Sequence, residues 1–267
     1  MPEPYTIFDR KRVRAHRDRA AARGEDYTFL LHEMAMRLSE RLHDIKRPFP
    51  RILELGAHGG QFASYLREVP GVELFVQTDL SHAMIKNASG LRLVADEEFL
   101  PFAPETFDLI LSLGSLHWVN DLPGTLIQIQ RSLKPGGLFL ASLPGGETLK
   151  ELRASFEQAE MEVRGGISPR VSPFIDVKDA GSLLQRAGFI EPVTDSELLT
   201  VSYKSPMKLL HDLRGMGESS ALLASAKNMA KRLLFSKALD YYVKQFTHPN
   251  NRVAATFEII TLTAWKK

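Results

Sequence analysis

Apolar and polar positions alternate in two rhythms along this chain. Short apolar runs occur at RILEL (51–55), ELFVQTDLS (73–81), LRLVADEEF (91–99), TFDLILSLGSLHW (106–118, with its loop) and LFLASL (138–143). Between them lie segments with helical spacing. Phe29, Leu30, Met34, Leu38 and Leu42 precede the first run, and Phe62, Tyr65, Leu66 and Val69 follow it. HAMIKNAS and LPGTLIQIQRSL (122–133) read as further helices, the second closed by KPGG (134–137). Strand runs alternating with helices predict βαβ units, and near-continuous apolar strands predict a parallel sheet covered on both faces. The second half reads differently. Helices are predicted over 145–164 and 176–189, a proline-punctuated loop over 168–174, strands over 192–203 and 252–266, and mostly helix over 206–247 with a break at GMGESS. The expectation is one α/β domain over 1–267, with a doubly wound, mostly parallel, seven-stranded sheet. A helical arm is expected at 1–48, and helical decoration facing a substrate at 144–175 and 204–250.

Composition narrows this picture. Hydrophobic residues are 44% of the 267 and charged residues 25%, ordinary for a chain that buries a full core. There is no cysteine, which excludes disulfides, zinc–thiolate sites, iron–sulfur clusters and a thiol nucleophile. A formal net charge of +2 gives no argument for nucleic acid. No run of 18 apolar residues is present, so no membrane span is expected. Positive charge concentrates in DRKRVRAHRDRAAARG (9–24), where Arg10, Lys11, Arg12, Arg14, Arg17 and Arg19 crowd together. Asp9 and Asp18 interrupt the arm, unlike a transit peptide, and no apolar region follows as in a signal peptide. It reads as a solvated helix, with peripheral contact to an acidic partner as the alternative, in a cytoplasmic bacterial protein.

The candidate chemistry starts at LELGAHGG (53–60). A glycine turn between a strand and a helix lets a ligand approach the backbone and the helix N-terminus. Asp79, ending the second strand, is placed to hydrogen-bond a ribose. Asp96 follows the third strand, an aromatic and polar segment follows the fourth, and LKPGG precedes the fifth. The full G-x-G-x-x-G phrase of NAD-binding turns is absent. As an ordered set, Glu54-Leu55-Gly56-x-x-x-Gly60, Asp79, Asp96 and Leu133–Gly137 resemble the class I S-adenosylmethionine-dependent methyltransferases over about residues 50–143. ADEEFLPF, SLHWVNDLP, GGETLKELR, SPRVSPF, GMGES and the opening IFDRKRVRAHRDRAA are similar to one subfamily over nearly the whole chain. It comprises the mitochondrial complex I assembly factors that hydroxylate protein arginine, with their alphaproteobacterial relatives. The carboxyl methyltransferases acting on malonyl-acyl-carrier protein in biotin synthesis come next.

The resemblance implies S-adenosylmethionine or S-adenosylhomocysteine as cofactor, held by Glu54, Gly56, His58, Gly60, Asp79, Leu80, Asp96, Glu97, Ser112 and Leu113. It implies a substrate side at Ser115 and Trp118, with His117 a general base or a pocket wall. The substrate would be a respiratory-chain subunit or a carrier protein. A non-catalytic assembly chaperone is the third reading. His58 stands where the family has glycine, and its ring is expected to compete with the methionine tail for space, with Gly59 giving it slack. Glu97 and Glu98, if in a strand, would face opposite ways. Glu147, Glu151 and Asp121 are candidate acids for an arginine substrate. His16 and Asp18 have the H-x-D spacing of an iron triad, but no third ligand is legible, and no metal site is expected.

Overall fold

The computed structural model describes residues 6–224 and 231–267. The helical reading of 206–247 and the arm at 1–48 are therefore assessed without 225–230 and 1–5, which lie outside the described residues. Seven strands form one sheet in the order β3-β2-β1-β4-β5-β7-β6. They are β1 (Arg51–Leu55), β2 (Leu74–Asp79), β3 (Leu91–Val94), β4 (Phe107–Leu113), β5 (Leu133–Pro144), β6 (Phe189–Tyr203) and β7 (Val253–Lys266). The first five are mutually parallel, and β7 runs antiparallel between β5 and β6. This is the expected doubly wound α/β sheet, whose strand order reverses at β1/β4, where ligands gather beyond the carboxyl ends.

Strand alternation explains the layers. Leu53, Leu55, Ile110 and Phe139 point to one face and pack with Leu126 and Ile129 of α4 (Leu122–Ser132) and Leu184 of α6 (Val177–Arg186). Ile52, Leu109, Leu111 and Leu138 point to the other face. They pack with Met34, Leu38 and Leu42 of α2 (Phe29–Asp44) and with Phe62. Beyond the sheet, α5 (Lys150–Arg164), α7 (Pro206–Met216) and α8 (Lys231–Phe246) close a third cluster with β7, built on Leu152, Phe156, Leu209, Tyr242 and Phe257.

Several boundaries differ from expectation. The segment after the glycine turn is a 3₁₀ helix over Gln61–Glu68 rather than an α-helix. The short α3 covers only His82–Ile85. β3 ends at Val94, so Glu97 and Glu98 sit in a turn and do not alternate across a strand. KPGG does not stop the chain before β5. It lies inside that strand, as an irregularity opposite Phe107 to Leu109.

The largest difference is the arm. α1 (Arg10–Ala21) starts at Asp9, whose carboxylate accepts from Arg12 N at 3.2 Å. It buries Val13, His16, Arg17 and Ala20, an i, i+3, i+4, i+7 face. The basic arm is docked at the carboxyl end of the sheet, with Phe8 bridged to Leu222 and its ring edge-on to Trp118 at 5.2 Å. No helix among the described residues is long and apolar enough to cross a membrane.

Glu54 and Gln77 are register partners on β1 and β2, and Gln77 Nε2 donates to Glu54 Oε2 at 2.7 Å. Burial pushes the Glu54 carboxyl up to about 8, against the Gln77 hydrogen bond, which favours its charge. The native state thus keeps a proton that the unfolded chain releases, and stability falls as pH rises from about 4.5 to about 8. Glu54→Gln is expected to remove this fall, so that its stability relative to wild type, read by urea denaturation, is higher at pH 8 than at pH 5.

Candidate functional site

The carboxyl ends of β1, β2 and β4 converge on a cluster of buried charge. Gly56 turns at φ +65 and Gly60 at φ +85, both in the left-handed region. A Cβ on Gly56 would overlap Ser115, so glycine is required there by close approach. Asp79 is fully buried, and its carboxylate accepts from His58 N at 3.0 Å and Ser81 N at 2.7 Å. Two backbone amides therefore fix it.

The arginines of α1 complete the cluster. Arg17 is 1% exposed. Its Nη1 donates to Asp79 Oδ2 at 3.3 Å and Glu97 Oε1 at 3.0 Å, and its Nη2 to Ser115 Oγ at 2.8 Å. Ser115 in turn donates to Glu97. Arg10 Nη2 donates to Asp96 Oδ1 at 2.5 Å and pairs with Glu97, while its Nη1 donates to Trp118 O at 3.2 Å. Burial alone would discharge these groups. Burial pushes Glu97 up, but Arg17 and Arg10 outweigh it and hold the carboxyl down to about 2. Burial likewise opposes the Arg17 charge, and Asp79 and Glu97 overcome it.

His58 takes φ 50, the left-handed conformation expected of the glycine it replaces. Its ring turns toward the end of β4, where Nε2 lies 3.1 Å from Leu113 O and 3.2 Å from Gly114 O. Two carbonyl acceptors place the hydrogen on Nε2. Burial, then the Arg17 charge, lowers its pKa, so the ring is neutral. The ring thus bridges the turns after β1 and β4.

On the other side of residues 114–118 lies a cavity of about 420 Å³ with mostly apolar walls, including Leu31, Met34, Leu152, Phe174 and Phe257. Its lining includes Glu218, whose side chain is 23% exposed, and Arg170, whose Nη2 donates to Glu160 Oε1 at 2.6 Å. Glu218 Oε2 accepts from His117 Nε2 at 2.9 Å and from Trp118 Nε1 at 3.0 Å. Burial pushes this carboxyl up and His117 more than compensates, holding it below its ordinary value. It is therefore an anion facing an apolar space.

Of the residues expected from sequence, Gly56, His58, Gly60, Asp79, Asp96, Glu97 and Ser115 meet in the cradle. Glu54 lies below it, committed to Gln77, and Ser112 Oγ donates to Leu55 O at 3.1 Å inside the sheet. Leu113 contributes its carbonyl to His58. Leu80 packs beside Phe8 and Trp118. His117 and Trp118 belong to the cavity wall, with His117 Nδ1 buried and without a partner.

The three acids considered for an arginine substrate serve elsewhere. Asp121 caps α4, Glu147 pairs with Lys150, and Glu151 accepts from Thr256. His16 Nδ1 lies 2.9 Å from Ser219 O and Asp18 accepts from Ser81, so the H-x-D pair does not converge. No cluster of three or more metal-ligating side chains is present among the described residues. Sequence reasoning missed Arg10, Arg17 and Glu218. Arg17 shares a helix face with the apolar Val13 and Ala20, which marks a face without saying what it meets, and Arg10 had no such signal. Glu218 had none beyond its motif.

The reversal point at β1/β4, the glycine turn and the acid ending β2 define a Rossmann-like methyltransferase fold. A family model described as "Methyltransferase domain" matches residues 25–190, and the chain belongs to that family. It is similar to the human mitochondrial protein named arginine-hydroxylase NDUFAF5, at 40% identity over 99% of this chain and 78% of that one. It is also similar to malonyl-[acyl-carrier protein] O-methyltransferase of Gallionella capsiferriformans, at 30% identity over 97% of this chain and 92% of that one. Phosphoethanolamine N-methyltransferase 2 of Haemonchus contortus, solved with S-adenosyl-L-methionine, shares the fold at a TM-score of 0.56 and 18% identity, covering 93% of this chain and 57% of that one.

The donor set suits an adenosyl cofactor, with an amide-fixed Asp79 and a glycine turn. Its atoms are already engaged: the Asp79 and Glu97 oxygens are paired with Arg17, and Ser115 lies against Gly56. With α1 docked in this way, a nucleoside would have to compete with Arg17 for these carboxylates.

Removing Glu97 takes from the buried Arg17 its nearer carboxylate partner and leaves it only Asp79 at 3.3 Å. Glu97→Gln is expected to cost about 3 kcal/mol at pH 7. The Glu97 contribution is complete above about pH 4.5 and is lost as pH falls toward about 2. The gap between wild type and variant in chemical denaturation should therefore close over that range, and a gap independent of pH would refute this account.

Proposed function

We propose that this chain is an enzyme that modifies a protein side chain, with an arginine of a respiratory-chain subunit as substrate, hydroxylated as the name of its 40%-identical relative states. The observation that carries this reading is the Glu218 carboxylate in a mostly apolar cavity whose lining arginine, Arg170, is already paired with Glu160 at 2.6 Å. A guanidinium on a three-carbon stem matches such a space: the stem packs on Leu152 and Phe174 and the head pairs with the anion. A malonyl carboxylate would meet the same anion as repulsion, which counts against carboxyl methylation. Glu218 Oε2 is taken by His117 and Trp118, and Oε1 has no hydrogen bond among the described residues. In this reading His117 orients Glu218, and Trp118 both orients it and forms the wall. Hydroxylation would take one oxygen atom from dioxygen, the other leaving as water with two electrons from an external reductant, and an adenosyl group supplies none of these. S-adenosylmethionine or S-adenosylhomocysteine is therefore proposed as a bound ligand, supported by the family and by the Asp79 and Gly56 turn chemistry, and not as the oxidant.

Mass spectrometry of the respiratory subunit, co-expressed with and without this chain, is expected to show one arginine gaining one oxygen atom. An arginine unchanged in both samples overturns the reading, and a methylated carboxyl group on a carrier protein replaces it with the carboxyl-methyltransferase one. Glu218→Gln should weaken binding of the arginine-bearing peptide by about 2 kcal/mol, roughly 30-fold, the worth of a charge-assisted hydrogen bond. Calorimetry on wild type and variant checks this.

A further inference from the structure

The cradle and α1 make incompatible use of the same atoms. Asp79 is held in place by the His58 and Ser81 amides, so its position does not depend on Arg17. What Arg17 occupies is the remaining accepting capacity of Asp79 and Glu97, toward the glycine turn. Arg10 does the same for Asp96. Two cations thus meet three carboxylates, and the arrangement is dry: Arg17, Asp79 and Glu97 are each at most 1% exposed.

The rest of the α1 contact is slight. Its buried apolar side chains are only Val13 and Ala20, supplemented by Phe8 against Trp118. Its remaining ties are polar: the Asp18–Ser81 hydrogen bond, His16 on Ser219 O, Arg12 Nη1 donating to Leu222 O at 3.1 Å, Asp9 N donating to Ala221 O at 2.9 Å, the backbone contacts of Ile7 and Phe8 with Leu223 and Leu222, and the Asn120 hydrogen bonds to Ile7 and Phe8. With so small an apolar face, docking depends on the charge cluster. A ligand that takes Asp79 and Glu97 withdraws the partners of Arg17, and a buried guanidinium without partners is costly.

We propose that α1 is an intramolecular occupant of the cofactor cradle, so that helix docking and binding of an adenosyl ligand are mutually exclusive states of this chain. Arg17 stands in for the nucleoside when none is bound, and the helix leaves, or retracts its guanidinium groups with a shift of its axis, when one arrives. The inference rests on reading the cradle as a cofactor site and is independent of the arginine reading of the cavity. It assigns the obstruction to Arg17 and not to His58, whose ring is turned toward Leu113 and Gly114.

Mutual exclusion lowers the apparent affinity by the fraction of molecules with the cradle open. S-adenosylhomocysteine, titrated calorimetrically, should therefore bind Arg17→Ala about tenfold or more tightly than wild type. His58→Gly should give no comparable gain. Arg17→Ala leaves buried carboxylates unpaired, so a second measurement uses the wild-type chain alone. Hydrogen–deuterium exchange of residues 10–21 should accelerate on adding S-adenosylhomocysteine, while β1 and β2 slow. Weaker binding by Arg17→Ala together with slower exchange in α1 would mean that Arg17 is a cofactor ligand, and would overturn the proposal while leaving the cofactor reading intact. Equal affinity of wild type and variant, with α1 exchange unchanged, would also overturn it. No binding by either chain would remove the cofactor reading and the proposal together.

Discussion

Three carboxylates, Asp79, Asp96 and Glu97, converge where the strand order reverses, and two arginines of a single helix pair with them, leaving one negative charge in excess. Everything at this end of the molecule depends on that balance. Without Arg17, Asp79 and Glu97 would face each other in a space with almost no water. Buried ion clusters of this kind contribute little net stability, because desolvation offsets the attraction. What they do impose is geometry. The charge cluster sets where α1 docks, α1 sets the position of Phe8 against Trp118, and Trp118 with His117 holds Glu218 at the cavity.

The segment 114–118 therefore separates two compartments of opposite character. On one side lies a polar cradle crowded with paired charge. On the other lies a mostly apolar cavity with the Glu218 carboxylate held by His117 and Trp118 in its wall. Gly114 and Trp118 touch both: Gly114 O faces His58 and Trp118 O accepts from Arg10, while both residues line the cavity. His58 ties this wall to the glycine turn. A glycine at that position would adopt the same backbone but leave the wall unbraced.

The sheet, its strand order and the cradle acids were legible in the sequence because they obey local rules. Periodicity of two marks strands, and Gly56, Asp79 and Asp96 fall at strand ends with fixed spacing. The docked arm was not legible. Arg17 is buried because it meets carboxylates 62 and 80 residues away, and no local pattern in RKRVRAHRDRAA encodes them. Glu218 escaped for the same reason, since its hydrogen bonds to His117 and Trp118 reach back 101 and 100 residues. The KPGG segment misled in the opposite way. Its glycine and proline spell a stop, yet the sheet absorbs the irregularity within β5.

The Phe8–Leu222 bridge has a bearing on how the chain assembles as it is made. α1 is made well before the residues it meets, Asp79, Glu97 and Ser115, and before Leu222, which bridges Phe8. Contacts this distant in sequence close late, because the entropy of the long loop must be overcome before they reward it. Until then a strongly cationic helix is exposed beside a growing, incomplete sheet. Contact order thus places α1 docking late, with the acidic edge of the sheet open to solvent until the helix arrives.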